Sequence, residues 1–385
     1  MILISYFLLV NTYKFLAIEK KTGSRILVVE GWIDEKCVAN ALDLYESNGY
    51  EILVVTGVPI TQWTYSSPFT NMADATAESI RRMHFKDSVY RIVVPSNILR
   101  DRTYSTAVAM KMKFEEWQLP YEHFDLYTVG AHSRRSYLFY KKVFSESHIG
   151  LIADTDASFD PERWYGTSRG FRIVLSELIS YFYALLFFHP NEEEFRNLIN
   201  DGHYLDKVLN IRAEKDRLFA DTNTSPLNLR DIPDFKGLSY YQVDPTYKVN
   251  AAIKTDTSTA PFLMQTTTER KPRYRKYADL TFILHGKELV LEAYQNLDLL
   301  TRMPDYKGLF IPFRDSTNFE QSYGGGRYLD IQIPLSADSV VLDFNMVYNP
   351  YCAYDERWSC PLVPAVNNLQ VHVRAGEQTY RKLTH

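Results

Sequence analysis

Five apolar runs of strand length, separated by stretches with helical spacing, constrain the first half of the chain more than any other feature. They are ILVVE (26–30), EILVVT (51–56), YRIVV (90–94), FDLYTV (124–129) and HIGLIA (148–153). A strand that is apolar throughout must be covered on both faces, which is the condition of a strand in a parallel sheet flanked by helices. The intervening segments supply the cover. Asp34 stands at a helix N-cap position, and Val38, Ala41, Leu42 and Tyr45 follow on one helical face. Further helices are predicted from about Ala73 to His84, from a cap at Thr103 through Ala107, Met110, Phe114 and Trp117, and from about Ser133 to Val143. The alternation specifies a doubly wound, Rossmann-like α/β domain.

In such sheets a ligand binds beyond the carboxyl ends of the strands. Here those ends carry Glu30, Gly57, Arg100, Asp101, Arg102, Thr103, His132, Arg135 and Asp154. Arginines with helix N-termini behind them favour phosphate or carboxylate, while the carboxylates suit sugar hydroxyls or a metal. The expected ligand is therefore small and anionic, with Arg100, Arg102 and Arg135 as its clamp and His132 or Glu30 as a proton carrier. The alternative is that these are solvated loop charges with no shared role. No G-x-G-x-x-G follows the first strand, which excludes a routine dinucleotide-dependent dehydrogenase. The connection VPITQWTYSSPFTNM (58–72) is long for an α/β loop, so Trp63, Tyr65 and Phe69 either cover a ligand or pack on a second domain.

From Phe235 the hydrophobic period changes to two. LSYYQV, YKVNAAI, PFLMQT, ADLTFIL, KELVLEAY, LFIPF, RYLDIQI, SVVLDF and LQVHVRA read as short strands, with a hairpin at His285-Gly286-Lys287. An antiparallel sandwich or partly closed barrel of roughly nine or ten strands is expected. Two dense stretches interrupt it. LFIPFRDSTNFEQSYGGGRYLDI (309–331) carries Asp315, Glu320, Tyr323, Gly326 and Arg327. DFNMVYNPYCAYDERWSCPLVP (343–364) carries Asp343, Asn345, Asn349, Cys352 and Cys360. Asp315 with Glu320 would make an acid pair for general acid/base work; a hydrogen-bonded loop network that closes the barrel is the competing reading. Cys352 and Cys360 are either a disulfide or a pair of thiols. Their C-x7-C spacing is not that of a zinc site, and no metal is expected.

At 385 residues the chain exceeds what one core usually supports. The expected division is a leading apolar segment (1–24), the α/β domain (25–188), a helical linker (189–234) opened by an N-cap at Asn191, and the β-rich domain (235–385). The net charge of −4, without a basic stripe, argues against a nucleic-acid partner. MILISYFLLV is broken by Asn11, Thr12 and Lys14 and falls short of the about 20 apolar residues of a membrane span, so it is a buried leading helix or part of a membrane anchor. The run from Ile173 to Phe188, interrupted by Glu177, is expected to be a packed closing helix. Nothing names a cofactor or an oligomeric state.

RILVVEGWI, the following VVTG, DRTYSTA and AHSRRS together resemble the YdcF/SanA/ElyC-like family, known as domain of unknown function 218, over about Arg25 to Phe188. The resemblance implies a Rossmann-like fold, a link to the bacterial envelope, and motif residues Gly57, Glu78, Asp101 to Ala107, His132 and Arg135. It extends the expected ligand to a nucleotide-like molecule or an envelope precursor, and the location to the cytoplasm or a membrane facing the envelope. Glu30-Gly31-Trp32 replaces the family's Gly-rich turn, and Lys36-Cys37 stands where many members carry Arg. FKGLSYYQVDPTYKV, the two dense stretches and the closing RAGE resemble domain of unknown function 1684 over about Tyr204 to Thr379. That resemblance implies no mechanism. It points to Asp315, Tyr323, Gly326, Arg327, Asp343, Asn345, Asn349, Cys352 and Cys360 as the second domain's pocket.

Overall fold

The computed structural model describes residues 2–60, 69, 71–86, 88–95, 98, 100–256, 258–333 and 339–380. They form two units, Met1–Asp206 and Lys207–His385.

The first unit contains strands β1 (Ile26–Glu30), β2 (Ile52–Gly57), β3 (Val89–Val93), β4 (His123–Val129) and β5 (His148–Asp154), all parallel, in the order β3-β2-β1-β4-β5. The alternation of side chains along β1 shows why both faces had to be apolar. Leu27 and Val29 enter a core with Val38, Ala41, Leu42 and Tyr45 of helix α2 (Glu35–Ser47) and Ile80 of α3 (Met72–Arg82). Ile26 and Val28 enter the opposite core with Met110 and Phe114 of α4 (Arg102–Trp117) and Phe139 and Tyr140 of α5 (Ser133–Val143). Each such aliphatic side chain taken fully out of water contributes roughly 1.5–3 kcal/mol. The chain winds outward from β1 to β3, then returns through α4 to pair β4 on the other side of β1. The carboxyl ends of β1 and β4 therefore form the topological switch point.

The leading segment is a helix, α1 (Ile2–Leu16), whose Tyr13 and Leu16 are buried with Phe159, Trp164 and Val174. α6 (Ser168–Leu186) buries Gly170, Val174 and Ala184 but leaves Ile179, Phe182, Leu186 and the following Phe187 exposed, so the closing helix is packed on only one side. Among the described residues no helix is long and apolar enough to cross a membrane. The linker contains one continuous 29-residue helix, α7 (Glu192–Ala220), starting after Asn191, whose side chain accepts from the Glu193 amide at 3.1 Å. The unit boundary falls within it.

The second unit is one seven-stranded antiparallel sheet, curled as a half-barrel. Its strands are β6 (Lys248–Thr255), β7 (Phe262–Leu263), β8 (Arg273–Leu284), β9 (Lys287–Asn296), β10 (Gly308–Phe313), β11 (Arg327–Gln332) and β12 (Ser339–Asp343), in the order β11-β10-β9-β8-β6-β12 with β7 paired to β8. A short helix, α8 (Leu297–Arg302), follows β9. The β8–β9 turn consists of His285 and Gly286 at φ 49° and 77°, the two left-handed residues that a type I′ hairpin requires. LSYYQV and LQVHVRA, expected as strands, are irregular. In LQVHVRA the reason is local: the carbonyls of Val373 and Ala375 are taken by the Arg327 guanidinium instead of a strand ladder.

Candidate functional site

The carboxyl ends of β1, β2 and β4, with the first turn of α4 and one side of α6, enclose a cleft of about 700 Å³. Glu30 closes its floor at the end of β1 and is 3% exposed. Its carboxylate accepts hydrogen bonds from Thr128 Oγ1 (2.5 Å), Ser136 Oγ (2.9 Å) and Trp32 Nε1 (3.1 Å). Three neutral donors thus hold a buried charge that would otherwise be costly to desolvate.

His132, just beyond β4, stands between two carboxylates. Its Nε2 lies 3.6 Å from Glu30 and its Nδ1 lies 3.0 Å from Glu177 of α6. Arg135, one helical turn on, grips Glu177 through two bonds (2.7 and 3.1 Å) and approaches His132 Nδ1 at 2.9 Å. With Nδ1 donating to Glu177, Nε2 presents a lone pair beside Glu30; with Nδ1 accepting from Arg135, Nε2 carries the hydrogen that faces Glu30. In either arrangement the ring carries one hydrogen, directed at Glu177 in the first and at Glu30 in the second. Burial pushes the Glu177 carboxyl up, but its bonds to His132 and Arg135 outweigh this and hold it at about 2. The Trp32 indole meets the imidazole edge-on, with 4.7 Å between ring centroids, and so walls the histidine on one side.

The rim is differently built. Asp101, preceding α4, has a left-handed backbone (φ 48°) and makes no side-chain bond to the helix start. A non-glycine residue held there costs about 1–2 kcal/mol. Thr103 lies inside the first turn and is not the cap. Arg102, Thr103 and Thr106 line the cleft at this uncapped end, and Arg169 of α6 lines it as well. Neither Arg102 nor Arg169 has an ion-pair partner among the described residues. With Asp156 also in the lining, four carboxylates face three guanidinium groups, but they are unevenly placed. Glu30 and Glu177 are engaged by protein donors, whereas the cations at the rim are open.

Gly57, Asp101, Arg102, Thr103, His132, Arg135 and Glu30 all line this cleft. Three expected residues do not. Arg100 is exposed and reaches Glu194 of α7 at 3.4 Å. Glu78 lies on α3 one turn before Arg81 and Arg82 and pairs with both, because helical spacing sets it on that surface. Asp154 is bound by Tyr127 and Asn40 on the α2 side. Arg169 and Glu177 were missing from the expected site. The one sequence signal for the second was a carboxylate standing alone in an otherwise apolar helix. Gly57 also has a packing role: a Cβ there would lie 2.1 Å from the Ala73 amide nitrogen. Trp63 and Tyr65 fall outside the described residues; Val58 and Met72, at the two ends of that loop, line the cleft.

In the second unit the expected pocket residues are mainly internal supports. Arg327, fully buried, donates to Asp315 at 2.7 Å and to three backbone carbonyls. Asp315 also accepts from the Thr317 and Val373 amides, so both its oxygens are used, while Glu320 is exposed. Asn345 bonds the Asp244 carbonyl and amide, and Asn349 bonds the Gln378 carbonyl. Gly326 holds φ 96° where a Cβ would press on Val363 and the Phe313 carbonyl. Asp343 instead lines an open groove with residues of β11 and β12. Tyr323 reaches Cys352 Sγ at 3.9 Å, and Cys352 and Cys360 are free thiols. Among the described residues no group of three or more His, Cys, Asp or Glu side chains is placed to hold a metal.

Fold and site together define a protein of two units, a doubly wound α/β unit with a cleft at its switch point and a half-barrel stabilised by a buried Arg–Asp pair. Residues 233–378, the half-barrel, match and belong to the family described as a protein of unknown function (DUF1684). The solution NMR structure of an uncharacterized protein of Haloarcula marismortui is 37% identical, over 47% of this chain and 96% of that one, with a TM-score of 0.38. A search of the curated proteins finds no match.

Proposed function

We propose that the cleft of the first unit binds a small anionic ligand that also carries hydroxyl groups. The observation that carries this reading is the pair of guanidinium groups, Arg102 and Arg169, that have no ion-pair partner among the described residues and line the cleft with the first turn of α4, whose preceding Asp101 makes no side-chain cap. A helix N-terminus offers free backbone N–H groups and positive potential, and a planar guanidinium binds an oxyanion through two bonds. Asp101 and Asp156 in the same lining can accept from hydroxyls, so a nucleotide-like molecule or a sugar-phosphate envelope precursor fits better than a bare anion. The resemblance of this unit to the YdcF/SanA/ElyC-like family, which has no support from a family match, is the basis for extending the reading to an envelope-associated binding factor. The test is calorimetric titration of the full chain with a nucleoside 5′-phosphate and with the corresponding nucleoside. Binding of the phosphate alone, lost in Arg102→Ala/Arg169→Ala, is expected. Equal binding of both compounds, or full binding by the double variant, would overturn the reading.

A second reading, turnover at the same cleft, is favoured by the seat of His132 between Glu30 and Glu177. A proton carrier is useful where the ligand's reacting atom comes within hydrogen-bond reach of it. The check is hydrolysis of phosphoester substrates by the wild type and by His132→Gln. Equal rates in the two would leave binding as the site's whole activity.

A further inference from the structure

The second unit contains two neighbouring free cysteines that the cleft does not use. We propose that Cys352 and Cys360 form a thiol–disulfide exchange site, in which Cys352 attacks a small-molecule disulfide and Cys360 resolves the product.

The geometry supplies three requirements for this chemistry. The first is proximity: the Cys352 amide donates to Cys360 Sγ at 3.2 Å, which sets the second sulfur against the backbone of the first cysteine. The second is asymmetry of access. Cys352, in a single 3-10 turn (Tyr351–Ala353), is partly open to solvent, whereas Cys360 is 6% exposed. An incoming disulfide therefore meets Cys352 first. The third is a fixed partner: the Cys360 amide donates to Thr267 Oγ1 at 3.1 Å, and its carbonyl accepts from the Thr267 amide at 2.9 Å. Chemistry at the sulfur follows the same direction. The hydrogen bond from Cys360 brings the Cys352 thiol down to about 7 against the opposing effect of burial, with help from Tyr323. The same bond and burial push Cys360 up. The thiolate is the nucleophile in exchange, so the accessible sulfur is also the one that ionises near neutral pH.

The sequence of steps balances. The Cys352 thiolate attacks one sulfur of a disulfide RS–SR, forming a Cys352–SR bond and expelling RS⁻. Cys360 gives its proton to solvent or to the departing thiolate, attacks Cys352 Sγ and expels the second RS⁻. The protein pair is oxidised by two electrons to the Cys352–Cys360 disulfide, and the small disulfide is reduced to two thiols.

The experiment uses the reduced full chain, oxidised glutathione as the probe, and intact-mass and peptide-map mass spectrometry. In the wild type the expected product is a peptide cross-linked between Cys352 and Cys360, with the loss of two hydrogens and no retained glutathione. Cys360→Ser should hold one glutathione on Cys352. Cys352→Ser should form neither product, and Cys37, on the buried face of α2, should stay unmodified throughout. The wild-type cross-link needs no variant to be read, so a misfolded Cys360→Ser chain, detected by circular dichroism, leaves the proposal decidable. A wild-type chain that keeps both thiols free, or a Cys352→Ser chain glutathionylated on Cys360 as fast as the wild type reacts, would overturn it.

Discussion

Replacing Glu177 with glutamine keeps the shape of the side chain and removes the charge that holds His132 and Arg135 in place. The Glu177 carboxyl sits at about 2 against an ordinary value of 4.5. The difference, 4.5 − 2 or about 2.5 units at 1.36 kcal/mol each, corresponds to about 3 kcal/mol favouring the charged form in the folded state. The side chain is 16% exposed, so some of this is screened and about 2 kcal/mol is a better expectation. Because the folded value is depressed, this stability is fully present above the unfolded carboxylate value and is lost as pH falls from about 4.5 toward about 2. Glu177→Gln should therefore be destabilised near neutral pH, and the gap to the wild type should fall by about half at about pH 3 and be largely closed only near about pH 2. Native-state hydrogen exchange in β1, β4 and α5 is the suitable assay, since two units need not unfold as one. An equal gap at all these pH values, or none near neutrality, would refute the assigned role of Glu177.

Other expected outcomes are equally specific. Arg327→Met leaves Asp315 buried without its cation and should cost the second unit about 3–5 kcal/mol in denaturant unfolding; a loss below 1 kcal/mol would show that the pair is dispensable. Gly57→Ala places a methyl group against the Ala73 backbone, where α3 cannot easily yield. It should cost about 1–3 kcal/mol and lower ligand affinity, measured by thermal unfolding and calorimetry, whereas an unchanged melting point would contradict the packing argument.

Much of the first unit was legible because its constraints are local. A strand with no polar face must be covered twice, and five such strands joined by helices leave few alternatives; β1 through β5 follow. The strand-end edge came with that topology, and with it Glu30, Asp101, Arg102, His132 and Arg135. What was not legible depends on tertiary return. α6 comes back across the edge and delivers Glu177 and Arg169 from far along the chain, and no periodicity encodes that approach. Arg100 precedes Arg102 by two residues but leaves the cleft, because Asp101 turns the chain through a left-handed conformation between them. In the second unit the hairpin at His285-Gly286 was readable from its turn residues. For Asp315 the sequence left an acid pair and a hydrogen-bonded loop network open, because the buried guanidinium that engages it stands twelve residues on and no local pattern joins the two.

The most direct test of the central claim is where an oxyanion settles. A crystal structure of the full chain with tungstate should show an anomalous peak within bonding distance of Arg102, Arg169 and the first turn of α4. A cleft without tungstate, in a crystal where the ion is bound at other arginines, would contradict the account.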